Sequence, residues 1–67
     1  MAVAKVTEII SSSAKSFEDA INDGISRANK TLDNVKGAWI SEQKVIVEKG
    51  KIVEYRVTMR VTFVLKD

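Results

Sequence analysis

One tryptophan, two arginines and a glutamine carry most of the recognisable binding chemistry in this sequence. Trp39 is the only tryptophan, a flat indole that stacks on other aromatic rings and keeps one N–H donor free. Arg56 and Arg60 fall four residues apart in a run that alternates apolar with polar, so on a strand both project from the same face. Their planar guanidinium groups suit phosphate or carboxylate, and they suit equally Glu54 or acidic residues of another subunit. Gln43 and Thr58 add an amide and a hydroxyl nearby, for a ligand or for polar cross-strand pairs. Trp39 itself has two readings, a plate for a planar ligand or an anchor between neighbouring sheets.

A second cluster is acidic. Asp19 and Asp23 lie one turn apart on a helical stretch, and with Glu18 they offer carboxylate oxygens to a hard cation such as Ca²⁺. Calcium usually collects about six to eight oxygens, often from a loop, so these three are an incomplete set, and a solvated helix face is the alternative. Catalytic constellations are lacking. Ser11, Ser12 and Ser13 have no histidine to activate them, the chain has no cysteine nucleophile, and no EF-hand, P-loop or dinucleotide glycine pattern occurs. The expectation is a binding protein and not an enzyme.

These residues need a scaffold, and four segments supply it. Residues 3 to 10 are rich in β-branched types and read as a first strand ended by the three serines. Ser16 followed by Asp19 predicts a capping box, with the hydroxyl accepting the Asp19 amide and the carboxylate reaching back to the Ser16 amide. Phe17, Ile21, Gly24, Ile25, Ala28, Leu32 and Val35 then recur at helical spacing. Asp23 and Arg27 are spaced for an i,i+4 ion pair, and Gly37 is the expected terminator. Residues 38 to 48 read as strand two. The odd positions from Val53 to Leu65 are all apolar, which marks strand three as long and half-covered.

Lys49-Gly50 fits a two-residue hairpin turn. In that register residue i of strand two faces residue 99 − i of strand three, pairing Trp39 with Arg60, Ser41 with Thr58, Gln43 with Arg56 and Val45 with Glu54. Ala38, Ile40 and Ile46 then join the helix side, as do Glu42 and Lys44, which is a misfit that a bulge would relieve. A helical crossover from strand one to strand two leaves strand three in the middle. The fold class expected is α+β, a βαββ chain with one helix on one face of a three-stranded antiparallel-type sheet. The other face, with Trp39, Val45, Val47, Ile52 and Val64, has no cover within the chain.

Size sharpens that point. Sixty-seven residues make one domain, 1–67, with a small core that rarely supplies more than about 3–5 kcal/mol. With no cysteine or histidine, disulfides and Cys/His zinc sites cannot reinforce it, which leaves association with copies of itself. At 45% apolar, 30% charged and a net charge of +2, the chain is neither disordered nor basic enough to point to nucleic acid. Its apolar runs are too short to span a bilayer. The N-terminal residues from Met1 to Lys5 show no secretory signal, so the expected location is cytoplasmic, without membrane contact.

The Ser-x-Ser before the helix, Ala28-Asn29-Lys30-Thr31-Leu32 at its end, and Glu54-Tyr55-x-Val57-x-x-x-Val61-x-Phe63 in the last strand resemble the dodecins over nearly the whole chain. The resemblance implies a hollow homododecamer that binds flavins (riboflavin, FMN or FAD) in pairs between symmetry-related sheets, storing them and quenching their photochemistry without turnover. It also implies a flavin-stacking tryptophan early in strand two and a flavin-binding glutamine after the Glu-Tyr of strand three. Those positions hold Gly37 and Arg56 here. Trp39 lies two residues later, on the same face and about 7 Å further along. Arginine donates but does not accept as glutamine does. The ligand-facing set expected is therefore Trp39, Gln43, Arg56, Thr58, Arg60 and Gly37. Dodecin-like proteins without the tryptophan and glutamine pair have been associated with calcium, and Arg56 makes this chain similar to that subgroup, as a structural or calcium-binding shell.

Overall fold

The computed structural model describes residues 3–65. Met1 and Ala2, which entered the reading of the N-terminus, lie outside the described residues. The elements follow as β1 (Val3–Ser13), α1 (Phe17–Thr31), β2 (Val35–Glu48) and β3 (Lys51–Leu65). The strands form one antiparallel sheet in the order β1-β3-β2. The βαββ α+β architecture expected from the sequence is the one observed, with β3 in the middle.

The core follows from β3's alternation. Val57, Met59 and Val61 are fully buried, joined by Phe63 and by Ala20 and Ala28 from the helix. Ile9 of β1, Val35 and Ile40 of β2, and Phe17, Ile21, Ile25 and Leu32 pack around them. Helix and sheet meet closely at Gly24, where a Cβ would collide with Met59 Cε and stand 3.0 Å from Ser11 Cβ. Small residues at 20, 24 and 28 thus let the α1 backbone approach the sheet while long β3 side chains fill the space between. Phe17 and Tyr55 close one end of this core edge to face, with centroids 5.2 Å apart.

Both helix ends depart from expectation in an instructive way. Ser16 accepts the Asp19 amide at 3.0 Å, as the cap predicts. The Asp19 carboxylate, however, accepts the Ser13 hydroxyl at 2.7 Å and not the Ser16 amide. Ser13 Oγ also accepts the Lys15 amide at 2.9 Å. The serines do not end β1: they continue it, Ser11 opposite Val57 and Ser13 opposite Tyr55, and the last one fastens the turn into α1. At the other end the helix stops at Thr31, with the Leu32 amide still donating to Ala28 O at 2.9 Å. Asn34, at φ 60°, makes the reversal expected of Gly37, and Gly37 is a β2 residue opposite Thr62. Val35 likewise packs from β2, not from the helix. The Asp23–Arg27 pair does not form: the ion pairs among the described residues are Arg56–Glu54 and Arg60–Glu8.

The hairpin turn is as expected, with Lys49 (φ 52°) and Gly50 (φ 76°) both left-handed. The register holds at each end of the hairpin but slips by one in its middle. Trp39 faces Arg60 and Ile40 faces Met59, then Ser41 is skipped, so that Glu42 faces Thr58, Gln43 faces Val57, Lys44 faces Arg56, Val45 faces Tyr55 and Ile46 faces Glu54. A second irregularity between Ile46 and Val47 restores the original register. The reason is electrostatic: without the bulge Glu42 and Lys44 would point at the helix side, where charged groups lose their hydration. The extra residue is accommodated by a hydrogen bond from Ser41 Oγ to Thr58 O at 3.2 Å.

Candidate ligand-binding face

The bulge decides which residues share the uncovered face. Directly paired residues on adjacent strands project to the same side, so the face reads as rows across the sheet. One row runs Glu8, Arg60, Trp39 from β1 through β3 to β2. The next runs Ile10, Thr58, Glu42, and the one after it Ser12, Arg56, Lys44. On the other side of the tryptophan lie Val6, Thr62 and Gly37. Gly37 adds no side chain there, and the space above it is open.

Trp39 stands on the edge strand of this surface, beside Arg60 of the central one. Its side chain is 63% exposed, and the Arg60 guanidinium sits over its ring, 5.1 Å from the centroid. Arg60 Nε also lies 3.7 Å from Glu8 Oε2, with both side chains about half exposed. Arg56 is held differently: its Nε and Nη2 both donate to Glu54 Oε2, at 3.0 and 2.5 Å, and the pair is more enclosed. Val6 and Ile10 are exposed beside these charges. Ile10, Glu42, Gln43, Lys44, Arg56 and Thr58 line a shallow cavity of about 280 Å³.

Of the residues singled out in the sequence, Trp39, Arg56, Thr58, Arg60 and Gly37 come together on this face. Gln43 departs from its expected row, because the bulge moves it from opposite Arg56 to opposite Val57, although it still lines the cavity beside Arg56 and Thr58. Val45, expected on the open face, shifts to the Tyr55 row on the helix side, while Ile46 makes the opposite move. Glu8 and Ile10 of β1 and Glu42 and Lys44 of β2 belong to the face and were not anticipated. The signal was available in part: two charges aimed at a helix are themselves a sign of a missing bulge.

The acidic candidates do not converge. Glu18, Asp19 and Asp23 are exposed on α1, and Asp19 is engaged with Ser13. Among the described residues no group of three or more Asp, Glu, His or Cys side chains is arranged to hold a metal ion. No described helix is long and apolar enough to cross a membrane.

Comparison with known proteins places this geometry. The sequence profile of the Dodecin family matches residues 3–66. The chain belongs to the dodecin family. It is 32% identical over 66 residues to the calcium dodecin of Mycobacterium tuberculosis, covering 98% of this chain and 93% of that protein. Among solved structures, a dodecin from Streptomyces davaonensis superimposes with a TM-score of 0.94 at 33% identity, over 98% of this chain and 97% of that one. The calcium dodecin of M. tuberculosis, described as a calcium-chelating antigen with a novel calcium-binding site, superimposes with a TM-score of 0.83 at 35% identity, over 96% and 91% of the two chains. The βαββ topology is thus shared with these dodecin structures.

Proposed function

We propose that this dodecin is a homo-oligomeric binding protein, a dodecamer by family likeness, which sequesters a planar aromatic ligand on the open face of its sheet without chemical turnover. Flavin is the first candidate. The observation that carries this reading is the exposure of Trp39, with only Gly37 two residues before it, on a sheet face that α1 leaves bare. An indole so exposed gains from being covered, and so do Val6 and Ile10 on the far strand of the same face. A neighbouring copy and a stacked ring cover it together. Arg60 and Thr58 supply donors for the polar edge of such a ring, and Arg56, tied to Glu54, is the less available of the two arginines. No part of this face offers an activated nucleophile, so storage and shielding suit it better than catalysis.

Titration of the apo-protein with riboflavin, followed by flavin fluorescence, tests the reading. Stacking on an indole quenches flavin emission, so strong saturable quenching is expected, and Trp39→Ala abolishes it while the oligomer persists. Unchanged emission on titration would sink the flavin reading. Loss of assembly in the variant would instead make Trp39 an interface anchor.

A second reading follows from the calcium dodecin relative. Glu8, Glu42 and Glu54 are spread over separate rows of the open face, and a calcium ion needs about six to eight oxygens. Any such site here is assembled from carboxylates of more than one copy. A rise in melting temperature with Ca²⁺ that Mg²⁺ does not reproduce supports it, and equal effects of the two ions count against it.

A further inference from the structure

The tip of the hairpin formed by β2 and β3 is apolar, and its own chain does not cover it. β1 pairs with β3 no further than Ser13 opposite Tyr55, and α1 starts at Phe17, which packs on that same tyrosine. Beyond them, residues 51–54 of β3 have only β2 beside them. Val47 and Ile52 face each other on this ribbon, 55% and 51% exposed, and Val45 and Val53 are exposed with them. A two-stranded hairpin without cover is marginal in water, and apolar side chains so exposed gain from burial. Lys49 and Lys51 stand at the turn, outside both ion pairs of the described residues.

The opposite end of the molecule offers the complement. α1 stops there at Thr31, and Leu32, Phe63, Val64 and Leu65 form the apolar walls of a cavity of about 240 Å³. Asp33 is the one charged residue of its lining among the described residues, and the negative end of the helix dipole adds to that charge. Tip and cavity lie at the two ends of β3 in a molecule 51 Å long. No chain can fill its own cavity.

We propose that the hairpin tip of one copy seats in the end cavity of the next, with Val47 and Ile52 against Leu32 and Leu65 and the tip lysines beside Asp33. The inference rests on the homo-oligomer reading above and is independent of what the open face binds. Burial of the aliphatic side chains supplies most of the attraction. The lysines and Asp33 set the orientation and contribute little more, since exposed pairs are screened by salt. The contact joins two different surfaces, so each copy gives a tip and receives one. Contacts of this head-to-tail kind either close into a ring or run on as a filament. A ring is the form that agrees with a discrete particle, and it leaves the open face of every copy free for a second kind of contact.

The chain has no cysteine, so two introduced thiols can read this contact alone. The variant carrying both Lys49→Cys and Asp33→Cys is treated, once assembled, with a short bis-maleimide and run on a denaturing gel. Its two thiols stand at opposite ends of one chain, and every link therefore joins two copies. Most chains are expected in a ladder that ends at a fixed rung, the number of copies in the ring. Lys49→Cys alone and Asp33→Cys alone stay unlinked, and adding Ile52→Asp to the double variant removes the ladder. Efficient linking of Lys49→Cys alone overturns the inference by setting tip against tip. An assembled particle, by light scattering, whose double variant stays unlinked overturns it and spares the homo-oligomer reading. So does a ladder without a last rung, or one that Ile52→Asp leaves intact. A chain that is monomeric by light scattering before any substitution removes the homo-oligomer reading itself, and the inference with it.

Discussion

The two faces of the β3 strand are built from the same fifteen residues and do opposite work. On one, Val57, Met59 and Val61 are sealed by α1. On the other, Arg56, Thr58 and Arg60 stand among exposed Trp39, Val6 and Ile10 with nothing above them. The covered face is ordered by shape: small helix residues against long strand residues, with no polar group left to satisfy. The open face is ordered by charge: Arg56 is met by Glu54, and Arg60 by Glu8 and the Trp39 indole. The contrast separates the part of the molecule that folds one chain from the part that waits for another molecule. On the proposed reading, a chain with so small a sealed core gains its remaining stability where copies cover the open face.

Substitutions on the two faces should therefore report on different quantities, and the largest effect belongs to the sealed one. Met59→Ala empties the centre of the core and is expected to cost about 2–5 kcal/mol in urea unfolding at fixed chain concentration. A cost under about 1 kcal/mol would mean that the helix does not seal this face. Gly24→Val forces the helix away from Met59 and Ser11 and should cost about 1–3 kcal/mol, seen as a lower unfolding midpoint. Ser16→Ala removes the cap that starts α1, for about 1 kcal/mol. Arg56→Ala on the open face should cost no more than about 1 kcal/mol, since the pair with Glu54 is partly solvated. A cost like that of Met59→Ala there would erase the distinction between the faces.

The same division governs what was legible in the sequence. The sealed face could be read because β3 is central and covered on one side only, so strict alternation from Val53 to Leu65 had a single explanation. Ser16 and Asp19 announced the helix start because a cap is a local device. The helix end was misread because both Gly37 and Asn34 can adopt or precede a reversal, and only the chain path shows that Asn34 makes it. β1 was read short because serine is a common turn residue, yet on an edge strand opposite Val57 and Tyr55 it is tolerated. The open face was legible only in outline. Trp39 and Arg60 were paired correctly because the two irregularities, at Ile46/Val47 and at Ile40/Glu42, cancel before the strands reach them. Gln43, Lys44 and Val45 were not, because a single skipped residue at Ser41 exchanges the two sides. The charged pair Glu42 and Lys44 was the mark of that bulge, but it does not say which neighbouring residue is skipped, and the Ser41 hydroxyl bond to Thr58 O that accommodates it is a contact between strands.

The central claim is that the open face is completed by other copies of the chain. Its most direct test is the particle mass in solution at micromolar concentration, by light scattering or native mass spectrometry. A single assembled species is expected, a large multiple of the 7.4 kDa chain and twelve copies in a dodecin-like particle. A stable, monodisperse monomer of 7.4 kDa, with Trp39 exposed to solvent, would contradict it.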